Sequence, residues 1–333
     1  MISVLDDPRI QWQGAVSLER TSTGVRPWRI PHDQRMLFDP GQVMKAAMPS
    51  GVRIVFQSNT RIVSGVARVA GDTKSIDLWC DGGPHATHDL STNPVFSFHL
   101  PTGMKRIEMW LPQFGEFELV SLEIGDGVIE QVEDTRPKWV IFGASNCQCR
   151  QAASPTGTWP AVASHIRGWN LTNLAVGGQN HLDIMMARTM ASLPADILTI
   201  APSGNFIRKS SFNLRTLRSR LLGFVQILRE PHPDTPVVML TLFHSRDERG
   251  WTNDVGMGRD IAVEETTRAV EVLREYGDEN IHLLDGLELF GPADDEHLAE
   301  DGVHMKPSGY RLIGERFAAH PLTQGLLSGD PTL

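Results

Sequence analysis

The chain has 333 residues, 41% of them hydrophobic and 21% charged, the balance of a globular protein that is too long for one ordinary core. A formal net charge of -9 with no run of Lys and Arg argues against a nucleic-acid surface or an anionic membrane as partner, since both are met by basic faces. Three cysteines cannot build a disulfide framework, and no stretch reaches the roughly 20 apolar residues that cross a bilayer.

The opening segment, Met1 to Pro8, has neither a basic start nor an apolar stretch, so a cytoplasmic location is the expectation. From Val16 to about Val132 the pattern is short, alternating and rich in turns. Val52 to Phe56, Ser75 to Trp79, Arg106 to Trp110 and Phe117 to Val120 place apolar residues at period two, with Gly, Pro, Asn or Asp between the runs. This predicts an all-β sandwich, jelly-roll-like, over residues 1–135. Glu133-Asp134-Thr135-Arg136-Pro137 reads as the boundary.

Beyond it strands alternate with helices, which predicts a three-layer α/β/α domain with a parallel, flavodoxin-like sheet over residues 136–333. The expected strands are Trp139 to Phe142, Leu171 to Val176, Ile197 to Ala201, Val237 to Leu242 and Ile281 to Leu284. The expected helices are Trp159 to Arg167, Leu182 to Ser192, Leu214 to Arg229, Ile261 to Tyr276 and Gly309 to Ala319. In the third of these, Leu214, Leu217, Leu221, Leu222, Val225 and Leu228 keep the three-and-four spacing of an amphipathic helix.

Four short segments carry the chemistry: Gly143-Ala144-Ser145-Asn146, Gly177-Gly178, Gly204-Asn205 and Asp301-Gly302-Val303-His304. Each alone is a common kind of turn. The first three, however, all follow strand-like runs, and parallel sheets form their sites at the carboxyl ends of strands. A hydroxyl attacking an ester needs an imidazole base and a carboxylate to orient that base, for which Ser145, His304 and Asp301 are the candidates. The oxyanion that forms needs fixed donors, and Gly178 and Asn205, with Ser145 itself, are the candidates. The three-residue spacing from Asp301 to His304 lets the carboxylate reach Nδ1 and leaves Nε2 to face the serine.

These blocks, in this order, resemble those of the SGNH hydrolases, also called GDSL esterases and lipases, with Asp-x-x-His shortly before the C-terminal helix. The resemblance extends to a two-domain subgroup with an N-terminal β-sandwich. It is carried by Arg20-Thr21, Gly24 to Arg29, Trp110 to Gln113, Ser154-Pro155, Thr158 to Pro160 and Asp285 to Gly291. It implies an esterase or acyltransferase acting on a small acylated molecule through an acyl-enzyme, with no cofactor and no metal. It also implies that Ser145 opens a helix whose N-terminus adds positive potential. Two positions depart from the family pattern: Ala144 stands where an Asp is common, and Met305 where a Pro is frequent after the histidine.

Other readings stay open at this level. His244 and Arg246, within the segment His244 to Trp251 after the fourth strand, are candidates to contact substrate, although a charged loop is more often simply solvated. His181 and Asp183 read as surface or capping residues, Cys147 and Cys149 as packing thiols, and His85 with His88 falls short of a metal-ligand set. Trp12, Trp28, Trp79, Trp110 and Trp139 lie in or beside the first domain, which keeps a glycan-binding module on a hydrolase-like fold as a rival. A nucleotide-binding reading fails because no Gly-x-Gly-x-x-Gly follows a predicted strand. The expected partner is a small-molecule ester, and the sequence leaves homo-oligomerisation open.

Overall fold

A computed structural model describes residues 1–72, 75–246 and 251–327. The first part of the chain builds two antiparallel six-stranded sheets. One runs in the order Ser17–Arg20, Val25–Trp28, Glu116–Ile124, Ile62–Ala70, Val95–His99, with Ile2–Ser3 paired to Glu116–Ile124. The other runs Ile129–Glu130, Arg53–Ser58, Lys105–Trp110, Ser75–Cys80, Gly83–Asp89, with Gln11–Gln13 paired to Arg53–Ser58. Alternate side chains of the two sheets, among them Ile54, Phe56, Leu78, Ile107, Phe96 and Phe117, enclose one core. Two short helical segments escape the period-two pattern, His32–Leu37 and Pro40–Ala46, the second begun by Asp39, whose carboxylate accepts the Gly41 N–H at 2.8 Å.

The second part is a five-stranded parallel sheet of β1 (Lys138–Phe142), β2 (Asn170–Asn173), β3 (Ile197–Ile200), β4 (Val237–Leu240) and β5 (Ile281–Leu284). Its order, β2-β1-β3-β4-β5, places the reversal of strand order, with all strands still parallel, between β1 and β3. Because side chains alternate across a strand, Val140 and Phe142 enter one core and Trp139 and Ile141 the other. Helices Ile184–Ala191, Leu214–Arg229 and Arg259–Glu275 cover the first face, and Trp159–Arg167 with Pro307–Ala319 covers the second. In the helix Leu214–Arg229, expected from its apolar spacing, Leu217, Leu221, Val225 and Leu228 are buried, while Leu214 is 58% exposed at the helix start.

The strands and helices expected beyond residue 136 are observed with ends shifted by up to three residues, and two of these shifts have a visible cause. Strand β2 stops at Asn173 rather than Val176. The carbonyls of Asn173 and Ala175 turn to the Arg29 guanidinium, and Asn173 Oδ1 takes the Ala175 N–H at 3.0 Å. The helix expected from Leu182 starts at Ile184, because Leu182 has a left-handed φ of 52°. The halves are joined by buried polar bonds and shared cores. Trp28, Ile30, Phe38 and Ala46 pack into the first-face core of the parallel sheet, and Trp110 into the second. No helix among the described residues is long and apolar enough to cross a membrane.

Candidate active site

Strand β1 ends at Phe142, and after Gly143-Ala144 the chain turns into a single helical turn, Ser145–Gln148. Cys149, left-handed at φ 56°, closes that turn at once. Ser145 thus opens a helix, as the resemblance implies, but one of a single turn, too short for an extended dipole. What remains is the N–H of Ser145, at the first position of a turn where no intrahelical acceptor exists.

His304 Nε2 lies 2.8 Å from Ser145 Oγ, and His304 Nδ1 lies 2.7 Å from Asp301 Oδ2. Asp301 Oδ1 in turn accepts the backbone N–H groups of Val303 and His304, both at 2.9 Å. Burial pushes the Asp301 carboxyl up, but the His304 N–H, the His304 ring and the Val303 N–H together outweigh it and hold the group at about 2. The carboxylate is thus ionised and locked before any substrate arrives. Its loop is held from both sides: the Arg246 N–H donates to Gly302 O at 2.8 Å, and Asn146 Nδ2 donates to Val303 O at 3.2 Å.

Beyond β2, Gly177 donates its N–H to Gln148 Oε1 at 2.8 Å. A Cβ on Gly177 would sit 3.0 Å from that oxygen and in van der Waals contact with Ser145 Cα at 3.4 Å, so the Gly177 backbone passes directly beside the serine and a side chain there would press on Gln148. Gly178 follows with a φ of 76°, a conformation that L side chains rarely adopt. Asn205 opens a short helix, Asn205–Arg208, after β3. Its Oδ1 is buried without a partner, and no described residue accepts from its Nδ2. Ser145, His304, Asp301, Gly178 and Asn205 all line one cavity of about 310 Å³ at the carboxyl ends of β1 and β3, the switch point of the sheet. A second cavity of about 70 Å³ lies behind it and shares Ser145 and Asn205.

Two expected substrate contacts separate here. His244 lines the smaller cavity, 7% exposed, with Nε2 at 3.1 Å from Asp295 Oδ1. Arg246 lines neither cavity and instead grips the Asp295 carboxylate with Nε at 2.9 Å and Nη2 at 2.6 Å. The rest of that expected loop, Asp247 to Gly250, lies outside the described residues. His181 bonds Ser211 Oγ at 2.7 Å, and Asp183 accepts from Gln42 of the first part of the chain. Cys147 and Cys149 are buried; burial raises the Cys147 thiol to about 12, which makes it a packing group and a poor nucleophile. His85 and His88 bond the backbone carbonyls of His99 and Asn93. Trp28, Trp110 and Trp139 are core residues, 6% exposed or less.

Lys45, Phe114, Arg150 and Gln151 also face the larger cavity without having drawn notice in the sequence. Lys45 and Phe114 come from the first part of the chain, so only the assembled fold brings them to Ser145. Gln148 was also missed, although its place three residues after the serine, on the same turn, is a signal of the kind that a helical spacing provides.

The profile of the GDSL-like lipase/acylhydrolase family matches residues 136–318, and that of the SsfX3 N-terminal domain matches residues 10–120. No curated protein matches the sequence. Among solved structures, a salicylyl-acyltransferase, SsfX3, from a tetracycline biosynthetic pathway is 29% identical with a TM-score of 0.91, over 98% of this chain and 97% of that one. A Bacteroides ovatus protein described as a GDSL-like lipase is 20% identical with a TM-score of 0.76, over 96% of each chain. A family two carbohydrate esterase from Clostridium thermocellum, bound to cellohexaose, is 14% identical with a TM-score of 0.67, over 96% of this chain and all of that one.

Proposed function

The chain belongs to the GDSL-like lipase/acylhydrolase family, and from that premise we propose that it is a serine esterase working through an acyl-enzyme at Ser145. The observation that carries the reading is the continuous line from Asp301 Oδ2 through His304 to Ser145 Oγ, with both links under 3 Å: 2.7 and 2.8 Å. Attack forms a bond between Ser145 Oγ and the ester carbonyl carbon while the hydroxyl proton passes to His304 Nε2. The carbonyl oxygen, now negative, is met by the N–H groups of Ser145 and Gly178 and by Asn205 Nδ2. Collapse breaks the bond to the alcohol oxygen, which takes the proton from His304 and leaves. Water then repeats the sequence on the acyl-enzyme and releases the acid.

A bound alcohol or amine in place of that water would make the protein an acyltransferase, and one observation favours this second reading: the match to a salicylyl-acyltransferase runs along nearly the whole chain at a TM-score of 0.91. The residues at Ser145 serve both outcomes; what differs is how well the cavity excludes water. The test is mass spectrometry after a short pulse of 4-nitrophenyl acetate, with Ser145→Ala beside the unaltered protein. A Ser145-dependent acetyl adduct with a burst of 4-nitrophenol is expected, and its decay with and without added alcohols separates hydrolysis from transfer. Release that is equal in the two proteins would overturn the proposal.

A further inference from the structure

The cavity in front of Ser145 has an electrostatic character that the acyl-transfer chemistry does not require. Lys45, at the end of the helix Pro40–Ala46, brings its ammonium to 4.4 Å from the centre of the Phe114 ring. The Arg150 guanidinium stands 5.0 Å from the same ring. Two cations therefore share one aromatic side chain, and all three residues line the cavity with Ser145 and His304.

The accounting of opposite charge is lopsided. No carboxylate among the described residues pairs with Lys45. Arg150 is paired with Asp72 at 2.7 Å, but those side chains are 59% and 42% exposed, where such pairs contribute little. The one acid among the described residues that lines the cavity, Asp301, is already engaged by His304 and two backbone N–H groups. The Phe114 ring offers each cation its negative face, yet it brings no formal charge and cannot cancel their repulsion. The strain is felt at Lys45, whose ammonium is pushed below the usual lysine range by burial first, then by Arg150 and Arg29.

A half-buried ammonium with no carboxylate of its own, set beside a guanidinium whose partner Asp72 is itself exposed, is a cost unless something negative fills the space between them. A positive cavity in an acidic surface also focuses anions toward its floor. We infer that the substrate carries a carboxylate or phosphate group that seats between Lys45 and Arg150 while its ester carbonyl reaches Ser145. This rests on the acyl-transfer reading above and deepens it, since it names the class of ester. The anionic group makes and breaks no bond. It orients the ester, replaces the water lost by Lys45, and is held by charge-assisted hydrogen bonds.

The test uses matched esters on the full chain: mono-4-nitrophenyl succinate against 4-nitrophenyl pentanoate, and 4-acetoxybenzoate or 4-acetoxyphenyl phosphate against 4-acetoxybenzamide. The first pair places the anion on the acyl side and the second on the alcohol side, and the last two anions distinguish carboxylate from phosphate. In at least one pair, Lys45→Met is expected to lower kcat/KM for the anionic ester about tenfold more than for its neutral partner, chiefly through KM. Arg150→Met should give a smaller difference in the same direction, and added salt should shrink both. Equal effects of Lys45→Met on anionic and neutral esters in every pair would overturn the inference. If no ester shows Ser145-dependent turnover, the acyl-transfer reading has failed separately. The subsite is then judged by calorimetry of benzoate and inorganic phosphate with Ser145→Ala. Binding that Lys45→Met weakens about tenfold supports it, and no binding overturns it. Circular dichroism of each variant shows that a lost response is not a lost fold.

Discussion

Gln148 Oε1 accepts the Gly177 N–H at 2.8 Å, so the turn that begins with the proposed nucleophile also fixes the peptide ahead of its proposed oxyanion donor. Gln148 is buried, and its Nε2 reaches Gln113 O at 3.4 Å in the first part of the chain. It is a positioning residue. Gln148→Leu removes the acceptor, frees the Gly177 peptide to rotate and misdirects Gly178. The expected result is a fall in kcat of about tenfold with KM little changed, because the affected donor acts on charge that develops only in the transition state. Steady-state kinetics would show a purely structural role instead as an equal loss of active protein at unchanged kcat per titrated site.

Asn205→Ala tests the opposite donor. Loss of one oxyanion donor typically costs about 3 kcal/mol of transition-state stabilisation, so turnover should drop by roughly a hundredfold or more. The melting temperature should hold or rise, since Asn205 Oδ1 is a buried atom without a partner and its removal ends that penalty. Activity and stability moving in opposite directions would be the signature. A parallel loss of both would place Asn205 in the scaffold.

His165 predicts a pH dependence of stability. Its ring stacks on Trp79 at 3.8 Å and meets Trp110 edge-on at 4.9 Å, where the two halves of the chain join. Burial, the largest influence, lowers it from 6.5 to about 4, with Glu108 and Asp77 pulling it up and Arg53 and Arg136 pushing it down. A folded value below the unfolded one means that the unfolded chain takes up the proton first. Stability is therefore complete above pH 6.5 and is lost as pH falls through about 4. Asp301, held at about 2 rather than 3.8, adds a separate loss only below that range. Thermal melts from pH 7 to 4 should slope downward, and His165→Phe, which keeps the aromatic contacts, should flatten the slope.

Arg29 predicts where the two halves depend on each other. It is fully buried, and it donates to Met48 O at 2.6 Å, Lys45 O at 2.5 Å, Asn173 O at 3.0 Å and also Ala175 O. Burial lowers its guanidinium to about 9, still charged at neutral pH. Arg29→Met leaves those carbonyls without a donor, a loss on the order of 3 kcal/mol or more. The urea midpoint should fall with the m-value unchanged, and unfolding should remain a single transition. Two resolved transitions would show that the halves unfold independently.

Much of this was readable in the chain. The parallel strands appear as apolar runs because both of their faces are covered, and Ser145, Asn205 and Asp301 with His304 stand just past such runs or before a helix. The sandwich strands were visible through alternation alone. What escaped is what depends on partners distant in sequence. The helix Pro40–Ala46 is too short and too mixed to show a period, and its Lys45 gains meaning only beside Arg150, more than a hundred positions later. The early end of β2 is set by Arg29, which no reading of residues 170–176 could include. Arg246 carried the right charge for a substrate contact, yet its carboxylate partner is Asp295 of the same protein.

The placement of Arg29 and Lys45 makes the front half of this chain more than an attachment. A separate module could be traded for another, as one swaps a handle on a tool. Here Lys45 and Phe114 form part of the wall of the cavity at Ser145, and Arg29 holds the bend after β2 that leads to Gly178. On the proposed mechanism, a change in the ester accepted need not touch Ser145, His304 or the parallel sheet. It can be written in Lys45 and Phe114, the two side chains that the first part of the chain sets against the cavity.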